Sequence, residues 1–145
     1  MPRPRQKVQC YITRLRASTS QVLVFEHVDF PEAGIQVPGG SIDPGETASE
    51  AALREAWEES GLPGLRVKRY IGAFCWWYEA LKEEHERHVF HLETSQPLPE
   101  RWQHTVSAGE GDKGLRFAYY WLDAAAATHA LSGDQGEYLQ YISGW

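Results

Sequence analysis

The sequence predicts an α/β fold in which a mixed β-sheet is covered on both faces by helices. Strand-like runs in the N-terminal third, one interior segment with clear helix start and stop signals, and a helical tail support this prediction. Strands combined with an interior and a terminal helix are typical of a sheet packed between helices. A chain of 145 residues without a Pro-, Gly- or Ser-rich linker predicts a single domain, residues 1–145.

The first strands are predicted from two different patterns. Residues 8–15 alternate in polarity and place Val8, Cys10 and Ile12 on one face. Residues 21–26 (QVLVFE) form a continuous apolar run, which is typical of a strand buried on both faces. A short third strand at 35–37 stops at Pro38-Gly39-Gly40.

The interior helix is predicted at residues 48–60. Thr47 and Glu50 have the spacing of a capping box, in which each side chain binds the other residue's backbone N–H. Gly61 and Pro63 indicate the end, because glycine favours the left-handed C-terminal cap and proline cannot continue a helix.

The rest of the chain is predicted to be β-rich and then helical. Further strands are expected at 65–80, 87–93, 102–106 and 115–122, with a loop at 107–114. The tail, 123–143, is predicted to be helical with a break at Ser132-Gly133.

Composition restricts the function classes. The formal net charge of −6 argues against a broad nucleic-acid surface, which needs clustered Lys and Arg. Cys10 and Cys75 are predicted to be buried free thiols, since two distant cysteines make neither a disulfide framework nor a zinc site. With no signal peptide and no apolar run near the ~18 residues of a membrane span, the prediction is a cytoplasmic protein without membrane contact.

Three carboxylates share one face of the predicted helix. At about 100° per residue, Glu55, Glu58 and Glu59 fall within one arc of about 100°. Ala48 and Ala51 lie on the same face and are expected to leave it open to a ligand. Glu50 and Arg54 are expected on the far side. An adjoining apolar stripe is expected to pack on the sheet: Ala52, Leu53, Ala56. Such a cluster is either a solvated acidic surface or a site for a divalent cation.

The surrounding residues favour the cation. The sequence reads Gly40, five residues, Glu46, seven residues, then REAWEESGL at 54–62. This arrangement is similar to the Nudix box at all of its seven fixed positions, a match expected by chance in about one in 10⁸ windows. The chain therefore resembles the Nudix hydrolase family.

The resemblance implies a Nudix-type α/β/α sandwich, with the box helix at 48–60 and a C-terminal helix. It implies that magnesium, with manganese as a substitute, is held by Gly39 and by the catalytic glutamates Glu55, Glu58 and Glu59. It also implies that Glu46 and Arg54 form an ion pair that supports the site structurally.

The implied reaction is hydrolysis of a phosphoanhydride bond in a nucleoside diphosphate linked to another moiety. A dinucleoside polyphosphate and a nucleoside triphosphate are the leading small-molecule substrates, and an ADP-ribose-like sugar is the alternative within the enzyme class. A catalytically silent nucleotide-binding module and an isoprenoid diphosphate isomerase are the competing functions. A homodimer is left open.

Residues outside the box are harder to assign. Glu110, between Gly109 and Gly111, is the candidate for the general base that the family often takes from a distal loop. Trp76 and Tyr78 share a strand face and are candidates for stacking on a base. A histidine-rich stretch at 85–91 is not expected to bind metal, because its side chains point to opposite faces of a strand.

Overall fold

The computed structural model describes residues 3–107 and 113–142. The described residues form eight strands and two helices: β1 (Arg5–Arg16), β2 (Thr19–His27), β3 (Ile35–Gln36), β4 (Gly39–Ser41), α1 (Ala48–Ser60), β5 (Arg66–Tyr78), β6 (Glu83–Glu93), β7 (Trp102–Thr105), β8 (Arg116–Asp123) and α2 (Ala124–Ala130). Short 3₁₀ helices occupy Pro31–Ala33, Glu79–Leu81 and Glu137–Tyr141.

The strands form one mixed sheet in the order β5-β6-β1-β2-β8-β7. β1 pairs in parallel with β6, and the remaining pairs along this path are antiparallel. The predicted α/β class with a mixed sheet is confirmed.

Each face of the sheet is covered by a different part of the chain. One face packs against Ala51, Ala52 and Ala56 of α1. The strand residues on this face are Val8, Cys10, Ile12, Leu23, Phe25, Phe90, Leu92, Phe117, Tyr119 and Trp121. The other face packs against α2 and the C-terminal 3₁₀ helix and includes Tyr11, Val22, Val24, Val89, Ala127, Leu131, Tyr138 and Leu139. β2 therefore buries both of its faces, as its continuous apolar run predicts.

A cleft opens where β1 and β2 separate. The two strands pair from Thr13 to Arg16 on β1. Towards the other end of β1, the segment 35–41 lies between them, with β3 paired to β2 and β4 paired to β1. This insertion places Gly39 and Gly40 at the base of the cleft, opposite Gln9 and Val8.

α1 begins and ends at the predicted residues. Thr47 and Glu50 make both bonds of the capping box, and Gly61 forms a left-handed cap with φ of 75°. These signals involve neighbouring residues, so they act before any tertiary contact is made.

Within the described residues the tail has the predicted break at Ser132-Gly133: α2 ends at Ala130, Leu131 pairs with Ile35, and the second helical part is a 3₁₀ helix, Glu137–Tyr141. One cysteine differs from prediction. Cys10 is buried as predicted, but Cys75 is exposed because it lies on the open face of β5.

Candidate active site

Two adjacent glycines bring the β4 segment against its neighbours. A Cβ atom on Gly39 would lie 2.5 Å from the carbonyl oxygen of Val8, and one on Gly40 would lie 2.3 Å from the carboxyl carbon of Glu55. Real Cβ atoms do not approach this closely, so a side chain at position 39 would clash with backbone, whereas one at position 40 would displace the Glu55 carboxylate. The glycines therefore bring the backbone of β4 close to β1, at Gly39, and to α1, at Gly40.

α1 presents its carboxylates to this segment. Glu55 and Glu59 are buried, at 8% and 6% exposure, whereas Glu58 is partly exposed. The backbone N–H of Gly39 donates to Oε1 of Glu59 at 3.2 Å. Glu59 and Gly39, two of the predicted metal ligands, are thus in direct contact.

The alanines of α1 do not leave an open face. Ala51 is fully buried in the core and Ala48 packs against the same cluster, so the expectation that they border a ligand space is wrong. α1 turns its alanine side towards the sheet, and these small side chains let the helix pack closely against it.

Arg54 lies among the carboxylates, not on the far side as predicted. Its guanidinium donates to both oxygens of Glu46 at 2.7 and 2.9 Å, to Glu55 at 2.9 Å and to Glu58 at 3.3 Å. It also donates to the carbonyl oxygen of Ser41 at 3.0 Å. At about 100° per residue Arg54 lies only about 40° from Glu58, its i,i+4 neighbour, so the expectation of a far side was wrong on helix geometry alone.

The charges of this cluster shift the pKa of nearby groups. The Arg54 guanidinium holds the pKa of Glu46 below its usual range. Burial raises the pKa of the Cys10 thiol, and the negative charges of Glu59 and Glu55 raise it further. Burial and the charge of Glu59 likewise raise the pKa of Tyr119. Glu59 therefore places negative charge near Cys10 and Tyr119, between α1 and the sheet.

The donor set fits a hard divalent cation. Carboxylate oxygens of Glu55, Glu58 and Glu59 and the carbonyl oxygen of Gly39 are the ligand types that magnesium prefers. Within residues 3–107 and 113–142, no three His, Cys, Asp or Glu side chains converge closely enough to enclose a metal. Magnesium keeps several of its waters and needs as few as one or two protein carboxylates, so such a site does not require a closed cage.

A cavity of about 570 Å³ begins at this cluster and extends over β1, β5 and β6. Its volume lies within the range of small-molecule sites. Its lining includes Gly39, Gly40 and Glu59 and also Trp76 and Tyr78. Two of the predicted metal ligands, Gly39 and Glu59, therefore border the same space as the predicted stacking residues, whereas Glu55 and Glu58 do not line it.

Strand register brings cations and aromatics together on the floor of the cavity. Arg5 of β1 lies opposite His85 of β6, which lies opposite Trp76 of β5. One row further along, Lys7 lies opposite Arg87. The Arg87 guanidinium lies 5.1 Å from the centre of the Trp76 ring, a distance at which a cation is attracted to an aromatic face.

Several of these residues were missed in the sequence. Arg5, Lys7, His85 and Arg87 line the cavity, but the predicted strands began at residues 8 and 87. The alternation of Arg5, Lys7 and Gln9 was the available signal, since residues two apart share a strand face. Their alignment with β6 depends on a pairing across almost 80 positions that periodicity does not reveal.

Two other sequence candidates differ in whether the structure describes them. The histidines do not converge: His85 contacts Glu83, His88 contacts Gln6, and His91 contacts Thr13. Glu110, the candidate general base, lies outside the described residues.

Comparisons with known proteins agree with this geometry. A family model for the NUDIX domain matches residues 4–141. Diphosphoinositol polyphosphate phosphohydrolase 3-alpha of Mus musculus is 35% identical over 122 residues, which cover 84% of this chain and 68% of that protein. The RNA pyrophosphohydrolase of Cereibacter sphaeroides is 47% identical over 51 residues, and the match covers 35% of this chain and 32% of that protein.

The C. elegans Ap4A hydrolase has a TM-score of 0.69 at 19% identity, and the match covers 97% of each chain. This likeness confirms the predicted Nudix-type fold. The named relatives are pyrophosphohydrolases or phosphohydrolases, which is the predicted enzyme class. Since the family model matches almost the whole described chain and the mouse relative is matched over just above two thirds of its length, this chain belongs to the NUDIX domain family.

Proposed function

We propose that this chain is a magnesium-dependent pyrophosphohydrolase that cleaves a phosphoanhydride bond in a nucleoside diphosphate linked to another moiety. The observation that carries the proposal is that one cavity is lined both by Gly39 and Glu59 and by Trp76 and Tyr78. A nucleotide has the matching parts, a polyphosphate chain at one end and an aromatic base at the other.

Glu55, Glu58 and Glu59, with the Gly39 carbonyl, would hold the cation. Once bound, magnesium neutralises phosphate charge and lowers the pKa of a water molecule, so that this water becomes a nucleophile near neutral pH. Arg54 restrains Glu46, Glu55 and Glu58. Glu110 is the candidate acceptor of the water proton, with one of the box glutamates as the alternative.

The cavity wall favours a nucleobase over a densely phosphorylated ring. Trp76 and Tyr78 have ring centres 5.4 Å apart, and Tyr78 stacks with His85 at 5.2 Å. Aromatic side chains bind bases of any identity by stacking. Of the cavity cations, Arg5 pairs with Glu83 and Arg87 pairs with Asp134, so part of the positive charge is already neutralised.

The most direct test is a substrate panel with the full chain and Mg²⁺. It would include a nucleoside triphosphate, a dinucleoside tetraphosphate, an ADP-ribose-type sugar, a triphosphorylated RNA end and a diphosphoinositol polyphosphate, with products separated by chromatography. We expect nucleoside triphosphate or dinucleoside polyphosphate to be the best substrate. Preference for the inositol compound, or no turnover of any nucleotide, would refute the proposal.

Replacing Trp76 tests the stacking role. Trp76→Leu is expected to raise KM for a nucleotide about tenfold and to change kcat little, because base stacking on an aromatic side chain contributes about 1–3 kcal/mol. Trp77→Leu is the matched control, since Trp77 is 53% exposed on the opposite face of the same strand. Equal KM values for the two variants would show that Trp76 does not bind the base.

A further inference from the structure

The C-terminal segment runs beside β3, the strand that leads into Gly39. Leu131 pairs with Ile35, and the backbone N–H of Ser132 donates to the carbonyl oxygen of Ile35 at 2.8 Å. The chain then turns at Gly133, whose φ is 57°. Backbone pairing with β3 therefore stops before it reaches Val37.

Beyond the paired residues, a side chain of the C-terminal segment accepts the next backbone hydrogen bond. Oε1 of Gln135 accepts a hydrogen bond from the backbone N–H of Val37 at 2.9 Å. Val37 is buried, and the next residue, Pro38, has no N–H. The Val37 amide is therefore the last backbone donor before Gly39, and Gln135 is its acceptor.

The backbone of Gln135 is held by a partly buried polar network. Its backbone carbonyl oxygen accepts hydrogen bonds from Nε2 of Gln9, at 3.1 Å, and from the hydroxyl of Tyr11. Gln9 in turn accepts from Arg87 at 3.1 Å, and Arg87 donates to Asp134 at 2.6 Å. A network of this kind holds its members in one geometry. Gln135 therefore approaches Val37 from a rigid position.

We propose that Gln135 is a positioning residue that fixes the approach of Gly39 to Glu59 and so sets the geometry of the cation site. The inference rests on the proposed function, because it gives the Gly39 carbonyl a role as a metal ligand. Loss of the bond would leave a buried N–H without an acceptor. The segment 37–39 would then move to reach water, and Gly39 would move with it.

The test compares Gln135→Leu with Gln135→Glu in the full chain. Leucine removes the acceptor at similar size, whereas glutamate keeps an oxygen facing the Val37 amide. For Gln135→Leu we expect at least tenfold faster hydrogen exchange at the Val37 amide and about tenfold weaker Mn²⁺ binding, the usual scale for loss of an outer-shell contact. With a nucleotide substrate, kcat should fall at low Mg²⁺ and recover at high Mg²⁺.

Gln140→Leu is the matched control. Gln140 is exposed, and its side chain donates within the same C-terminal segment to the carbonyl oxygen of Glu137. This control and Gln135→Glu should both behave as the wild-type protein. Unchanged Val37 exchange and Mn²⁺ affinity in Gln135→Leu, even with a lower Tm, would overturn the inference.

The two proposals fail separately. If the wild-type protein hydrolyses no nucleotide, the proposed function fails, while hydrogen exchange at Val37 and Mn²⁺ affinity still decide the role of Gln135.

Discussion

Glu58→Gln and Glu59→Gln are each expected to lower kcat at least ~100-fold while the fold stays intact. Each substitution removes one negative charge from the proposed cation site and changes the side-chain shape little. In Glu59→Gln the side-chain oxygen can still accept from the Gly39 N–H. Glu59 is buried one helical turn from Glu55, so removing its charge reduces repulsion and Tm should be unchanged or higher. Glu58→Gln weakens the ion pair with Arg54, so its Tm should be unchanged or slightly lower.

The measurement is steady-state kinetics at saturating Mg²⁺ together with thermal unfolding. Glu50→Gln is the matched control, because Glu50 lies on the same helix and glutamine at this position still completes a capping box. It should retain both activity and stability. Near-normal turnover in Glu58→Gln and Glu59→Gln would overturn the assignment of these carboxylates.

Gly40→Ala is the second substitution with a large expected effect. The new methyl group would lie 2.3–2.6 Å from the carboxylate atoms of Glu55. The carboxylate is the end of a flexible side chain, so it can move aside at small cost to stability. Displacing a proposed metal ligand should weaken Mn²⁺ binding and lower kcat at least ~10-fold, while Tm changes little.

Gly45→Ala should show the opposite combination. Gly45 has φ of 80°, and a Cβ there would meet no atom within 4 Å. The substitution forces alanine into the left-handed region, which costs about 1 kcal/mol, but it moves no carboxylate. We expect a lower Tm with normal Mn²⁺ affinity. A Gly40→Ala protein that binds Mn²⁺ as the wild type does would show that Glu55 tolerates displacement.

The parts of the structure that sequence predicted well depend on local interactions. The bounds of α1 were predicted because Thr47, Glu50 and Gly61 act within one turn of the helix. The continuous apolar run of β2 predicted burial on both faces for a similarly direct reason, since each face packs against its own core cluster.

The parts that sequence did not predict depend on distant pairing. α2 stops at Ala130 because Leu131 pairs with Ile35, almost a hundred positions earlier in the chain. The floor of the cavity depends on the parallel register that sets Lys7 beside Arg87. The expectation for Arg54 was wrong for a local reason, since residues four apart are neighbours on a helix and Arg54 therefore lies beside Glu58.

The guanidinium at position 54 has a consequence for how the protein tolerates changes in ion supply. One internal cation already contacts Glu46, Glu55 and Glu58. The Arg54 side chain therefore neutralises part of the carboxylate charge. We expect α1 to pack against the sheet without an external cation. A chain built in this way is expected to keep the arrangement of α1 and β4 when the cation proposed to bind there is removed.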